Sequence, residues 1–149
     1  MKIYVASSWR NHHQPRIVAM LKRWGHDVYD FRNPTKMNAG FHWSEIAGNW
    51  ETWSAKEFQS ALDHEIADRG FAFDKEALDW CDACVLVLPS GRSAHLEVGY
   101  AAGSGKKTVA LLIGHNEPEL MYKLLDAVVC DEAELLDAIT VLEPVEPKP

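Results

Sequence analysis

Several kinds of residue and pattern are scarce in this sequence, and each scarcity excludes something. Among 149 residues there are three cysteines, Cys81, Cys84 and Cys130, an odd number without the regular spacing of a secreted disulfide framework. Cys81 and Cys84 form a CxxC, yet no second CxxC or histidine cluster completes a zinc site, so both read as small hydrophobes. The histidines show no HExxH or comparable ligand spacing, and no metal or cofactor is expected. Apolar runs are too short to span a bilayer, and the opening MKIYVASSW lacks a cleavage-site signature. A reducing cytoplasm is the simplest location, with no membrane partner. Positive charge is in deficit: 15 Lys and Arg against 22 Asp and Glu give a net charge of −7 and a pI near 5.4. That balance argues against a nucleic-acid polymer as partner but leaves room for a small anion in a local basic pocket.

What remains is an ordinary globular composition, 47% apolar and 25% charged, of a length that fits one domain. Lys2 to Ala6 is a compact apolar run and reads as the first strand. Pro15 to Trp24 carries Ile17, Val18, Met20, Leu21 and Trp24 at amphipathic-helix spacing, closed by Gly25. His26 to Phe31 reads as a second strand, so the unit implies a right-handed parallel crossover. An irregular insertion, about residues 32–70, follows and is rich in aromatics: Phe41, Trp43, Trp50, Trp53 and Phe58. Its Ser54-Ala55-Lys56-Glu57 looks like a capping box for a helix reaching about Ala67. The insertion is either a satellite core or a ligand-facing lid.

Asp74 to Trp80 reads as a short helix and Ala83 to Leu88 as a central strand covered on both faces. A small-residue helix from Ala94 to about Gly103 comes next, and Gly99, Ala101, Ala102, Gly103 and Gly105 suggest close packing on the sheet. Thr108 to Ile113 is a further strand, Pro118 to Leu125 a helix candidate, Ala127 to Cys130 a last strand, and Glu132 to Leu142 a terminal helix. The tail, about residues 143–149, reads as loose. The result is one domain of the doubly wound, three-layer α/β kind, flavodoxin-like or Rossmann-like, with about five parallel strands in the order 2-1-3-4-5. That order places the ligand crevice between strands one and three. Ser7, Ser8, Trp9 and Arg10 would then share it with the turn from Pro89 to Ser93.

One carboxylate stands at that crevice. With Ser93 as N-cap, Glu97 falls in the first helical turn, where the helix dipole favours an ionised acid. It is either a reacting group or an ordinary helix-start residue. Gly103-Ser104-Gly105-Lys106-Lys107 follows a helix rather than a strand, so it is not a phosphate-binding Walker loop, and its lysines complement a helix C-terminus.

The segments IYVASSWR, DACVLVLP and GRSAHLEVGYAAGSGKK together resemble the nucleoside 2-deoxyribosyltransferase superfamily, which includes nucleoside 5′-monophosphate N-glycosidases. The likeness covers the first strand and its loop, then Asp74 to Lys107. It implies that Glu97 is a nucleophile, that Tyr4 hydrogen-bonds it, and that Asp74 handles the proton of the leaving base. It further implies phosphate contacts near Ser8 and Arg10, anion contacts at Gly91 and Ser93, and a homodimer or higher homo-oligomer. The chemistry is coherent: cleaving an N-glycosidic bond builds positive charge at the anomeric carbon, which a nearby carboxylate stabilises or traps. Two departures stand out. Transferases of the family carry an acidic residue in the loop that here reads Ser90-Gly91-Arg92-Ser93, and Arg92 suits an anionic substrate instead. His95, beside the motif, reads as a proton shuttle, a polar substrate contact or a surface residue. The expected partner is thus a small nucleoside or nucleotide. An NAD-type glycohydrolase and a non-catalytic nucleotide-binding or interaction module are the alternatives.

Overall fold

Alternating apolar residues pass through the centre of the sheet in two sets, and each set meets different helices. In this computed structural model, which describes residues 1–142, the strands are β1 (Lys2–Ala6), β2 (Asp27–Asp30), β3 (Ala83–Val87), β4 (Lys107–Leu111) and β5 (Ala127–Val129). The tail, residues 143–149, lies outside the described residues. Strand order is β2-β1-β3-β4-β5, as expected, and β1 with β3, β3 with β4, and β4 with β5 pair in parallel. The strand ends fall within two residues of those read from sequence.

Ile3, Val5, Ala83, Val85, Val87, Val109 and Leu111 point to one face. There they meet Ile17, Val18 and Leu21 of α1 (Gln14–Arg23) and Leu135, Leu136 and Ile139 of α5 (Glu132–Leu142) in a single apolar cluster. Tyr4, Ala6, Cys84, Leu86, Thr108 and Ala110 fill the opposite face and are just as buried. A helix, α4 (Arg92–Gly103), packs across β3 with β4 and β1 on its flanks. The layers α1 and α5, sheet, α4 are the doubly wound arrangement.

Helix α1 ends as its glycine demands. Gly25 has φ +89°, and the His26 and Gly25 amides return to the carbonyls of Leu21 and Lys22. That is the Schellman closure, which needs a residue tolerant of the left-handed region.

By contacts the chain divides into two compact units, one from Met1–Tyr29 together with the chain from Trp80 onward, the other Asp30–Asp79. The second unit holds 3₁₀ turns at Trp43–Glu45 and Trp50–Thr52, then α2 (Ala55–Ala61) and the greater part of α3 (Glu65–Trp80). The capping box is present: Ser54 Oγ accepts from the Glu57 amide, and Glu57 accepts from the Ser54 amide at 2.7 Å. The helix it opens stops at Ala61, however, and not near Ala67. It is α3 that continues unbroken through Gly70 to Trp80, where sequence suggested only a short helix from Asp74. Two features explain the difference. His64 Nδ1 accepts from the Ile66 amide at 3.1 Å, so an uncommon capping residue restarts the helix. Gly70 sits within α3 because a Cβ there would lie 2.8 Å from Cβ of Phe41. It is thus a packing glycine, not a helix end. Phe41, Trp43, Trp53 and Phe58 contact edge to face, with centroids 4.8 to 5.8 Å apart, as a small aromatic core. Near the other end of the chain, the helix expected over Pro118 to Leu125 is a 3₁₀ turn, Leu120–Leu124.

Candidate functional site

The loop after β1 is tied to the end of β3 by buried polar groups. Ser7 Oγ donates to the Val87 carbonyl at 2.8 Å. Asn11 Nδ2 donates to Ser7 Oγ and to the same carbonyl, each at 3.0 Å. Asn11 Oδ1 accepts from the His13 amide at 2.9 Å, which turns the chain into α1. The loop after β1 is thus held beside the end of β3 because one carbonyl there receives both side chains. Ser7 is consequently a structural pin with its hydroxyl committed. Ser8 Oγ accepts from the Arg10 amide at 3.2 Å, and Trp9 and Arg10 project outward with substantial exposure.

Beyond β3, α4 begins two residues earlier than the sequence suggested. Gly91 is its N-cap and Ser93 lies inside the first turn, which contains no acidic residue. Glu97 accordingly belongs to the second turn, where the helix dipole has largely faded. Gly91, in an extended conformation, can start the helix without a side-chain cap. Arg92 and Ser93 are exposed at its mouth. The side toward the sheet is made by Ala94, Val98 and Ala101, all buried, and not by the glycines. A Cβ at Gly99 or Gly103 would meet nothing within 4 Å. The close approach of helix to sheet thus rests on alanines.

Glu97 is half-buried and stands over β3. The Cys84 thiol is pushed well above its ordinary range by burial, by neighbouring Cys81 and by the charge of Glu97. Cys84 pairs in register with Tyr4, so Tyr4, Cys84 and α4 share one face of the sheet. Tyr4 is wholly buried and stacks on Tyr29 of β2, with ring centroids 5.1 Å apart. Two of the three expected catalytic residues are therefore carried on facing elements of one unit. Asp74 belongs to the other unit, half-buried in the middle of α3.

His95 differs from its expected part. Nδ1 lies 2.7 Å from the Gly91 carbonyl and Nε2 lies 2.8 Å from the Tyr122 hydroxyl. Both ring nitrogens are engaged by the protein, so neither is open to a substrate. Tyr122 also borders a cleft of about 580 Å³, lined by residues such as Leu112, Pro118, Leu125 and Val128. Lys106, expected at a helix C-terminus, donates at 2.7 Å to the Cys81 carbonyl, just past the end of α3.

Sequence reasoning missed Asn11, Tyr122 and the position of Cys84 beneath Glu97. A polar residue between a strand and a helix start was a usable sign for Asn11. Nothing along the chain links Tyr122 to a histidine so far before it. Among the described residues no group of three or more His, Cys, Asp or Glu could hold a metal ion, and no helix is long and apolar enough to cross a membrane.

No family model matches the sequence, and no curated protein sequence matches it. Solved structures do. A CMP N-glycosidase from Clostridium botulinum is 17% identical, with a TM-score of 0.54 over 94% of this chain and 99% of its own. A 2-deoxyribosyltransferase from Bacillus psychrosaccharolyticus is 19% identical, with a TM-score of 0.60 over the whole of both chains. At such identities the likeness is one of fold, and the fold of this chain is the one those two structures share, as its resemblance to the nucleoside 2-deoxyribosyltransferase superfamily implied.

Proposed function

We propose that the protein cleaves or transfers at the N-glycosidic bond of a nucleoside or nucleoside 5′-monophosphate. The observation that carries this reading is Glu97. It is a half-buried carboxylate over the sheet, close enough to raise the Cys84 thiol, on the face that holds Tyr4. In the proposed reaction the Glu97 carboxylate attacks the anomeric carbon. The bond to the base breaks with its electron pair going to the base nitrogen, which takes a proton from Asp74. Water or a second base then attacks the same carbon, gives its proton to Asp74 and releases Glu97. Tyr4 holds the carboxylate in position. Ser8, Trp9 and Arg10 on one loop, with Arg92 and Ser93 on the other, make the substrate contacts, and the two arginines favour a phosphate-bearing substrate.

A homodimer or higher homo-oligomer fits the apolar side chains that α4 and the 3₁₀ turn leave exposed, including Leu96, Met121 and Leu124. A cytoplasmic setting fits three free thiols. The test is base release from a panel of ribo- and deoxyribonucleoside monophosphates, with NAD included, by wild type and by Glu97→Gln. The expected result is release by wild type and a loss of at least about a hundredfold in the variant. Equal turnover would remove Glu97 from the chemistry. Consumption of NAD alone would identify a glycohydrolase, and stabilisation by a nucleotide without product would identify a binding module.

A further inference from the structure

The strongest unassigned feature is the bridge that His95 makes between two segments far apart in sequence. A carbonyl only accepts, so the short contact with Gly91 requires the proton on Nδ1. The Tyr122 hydroxyl lies 2.8 Å from Nε2 and donates to it when the ring carries its proton on Nδ1 alone. The rings lie nearly parallel, 15° apart with centroids at 5.7 Å, so stacking adds to the hydrogen bond. Burial, and then the charge of Glu119, holds the Tyr122 hydroxyl above its ordinary range and keeps its proton in place. Glu119 also fixes the turn that presents the tyrosine, accepting from the Met121 amide at 2.9 Å.

We propose that Tyr122 and His95 are positioning residues, a clamp that fixes the Gly91 carbonyl and with it the Gly91-Arg92-Ser93 turn. The inference rests on the reaction proposed above, since it gives that turn its purpose. Gly91 has no side-chain cap, and a Cβ there would meet nothing within 4 Å, so no side chain of its own holds the turn. Its carbonyl is held by the ring of His95, one turn further along the same helix, and that ring is held at its far nitrogen by Tyr122 from outside the helix. Arg92 and Ser93 follow directly, and Glu97 is two residues beyond His95 on the same helix. A clamp at this point sets where anion contacts sit relative to the carboxylate.

The experiment uses the full chain as wild type, Tyr122→Phe, His95→Asn and the double variant. Amide hydrogen exchange over residues 91–97 is read alongside kcat and KM for the nucleotide that wild type turns over. Asparagine can still donate to the Gly91 carbonyl but is too short to reach Tyr122, so both single variants lose the same half of the clamp. Each is expected to speed exchange at 91–97 about three- to tenfold, the range of one net hydrogen bond. KM should rise by a similar factor with kcat little changed, and the double variant should go no further than either single one. Wild-type exchange in Tyr122→Phe, additive effects in the double variant, or faster exchange with KM unmoved would overturn the proposal. A wild type that turns over no nucleotide would refute the proposed reaction, and the exchange measurement alone would still decide whether the clamp exists.

Discussion

Replacing Asn11 by alanine tests what holds the β1 loop against the end of β3. The Asn11 side chain donates at 3.0 Å to Ser7 Oγ and to the Val87 carbonyl and accepts from the His13 amide at 2.9 Å, at a position only 2% exposed. Each such bond contributes about 1 kcal/mol net. Two of its partners remain satisfied, because Ser7 Oγ still donates to the Val87 carbonyl. The loss should therefore be about 2 kcal/mol rather than the full three bonds, together with an unmet amide at His13. For a chain of this size that lowers Tm by about 4–8 °C. Ser7→Ala should cost less, because Asn11 keeps its bond to Val87. The two changes share the bond between Ser7 and Asn11, so the double variant should fall short of the sum by about 1 kcal/mol. Scanning calorimetry or urea titration of the four proteins measures all of this. A Tm change below about 1 °C for Asn11→Ala, with strict additivity, would refute the view that this pin holds the β1 loop against β3.

Gly70→Ala should destabilise by about 1–2 kcal/mol in urea titration, since contact with Phe41 outweighs the roughly 1 kcal/mol gained in helix propensity; a net gain would mean Phe41 is not packed there. Gly99→Ala, on the open side of α4, should raise stability by about 0.5–1 kcal/mol, and a loss would show that something else approaches this face. Hydrogen bonds from the Ser54 amide and hydroxyl hold Glu57 below its ordinary value of 4.5. The contribution of this capping box is therefore complete above about pH 4.5 and is lost as pH falls through the lower folded value. Helix content or exchange at α2 should show that acid loosening in wild type and a smaller one in Ser54→Ala, where the backbone amide still donates to Glu57. Glu97→Met should raise Tm or leave it unchanged while ending base release, because a flexible apolar side chain suits a half-buried place against the sheet; a fall of several degrees would make Glu97 a structural residue.

Much of the central unit could be read from the chain because the signals were local. ACVLV could only be a strand covered on both faces, and Pro15 and Gly25 bracket α1 by fixed backbone preferences. Strand order then followed from the doubly wound class that alternating strands and helices imply, and with it the nearness of Ser7 to the end of β3. What escaped depends on partners distant in sequence. Gly70 looks like a terminator until Phe41 is beside it. His64 is a poor cap by propensity, so α2 and α3 merged and divided at the wrong places. Tyr122 has no periodic neighbour to mark it, and its use by His95 exists only in three dimensions.

The start of α4 matters most among these differences. In the first turn, Glu97 would have an adequate reason to be acidic, because the helix dipole alone stabilises a carboxylate there. In the second turn that reason has mostly gone. The residue is also half-buried and near enough to Cys84 to disfavour the thiolate, although an apolar side chain would pack there without desolvating a charge. Helix stability would instead put an acid at Arg92 or Ser93, which are exposed and belong to the first turn. Those positions are basic and neutral. The acidic residue stands where it helps the helix least, which is the pattern expected of a residue kept for a role other than helix stability, as the proposed reaction requires.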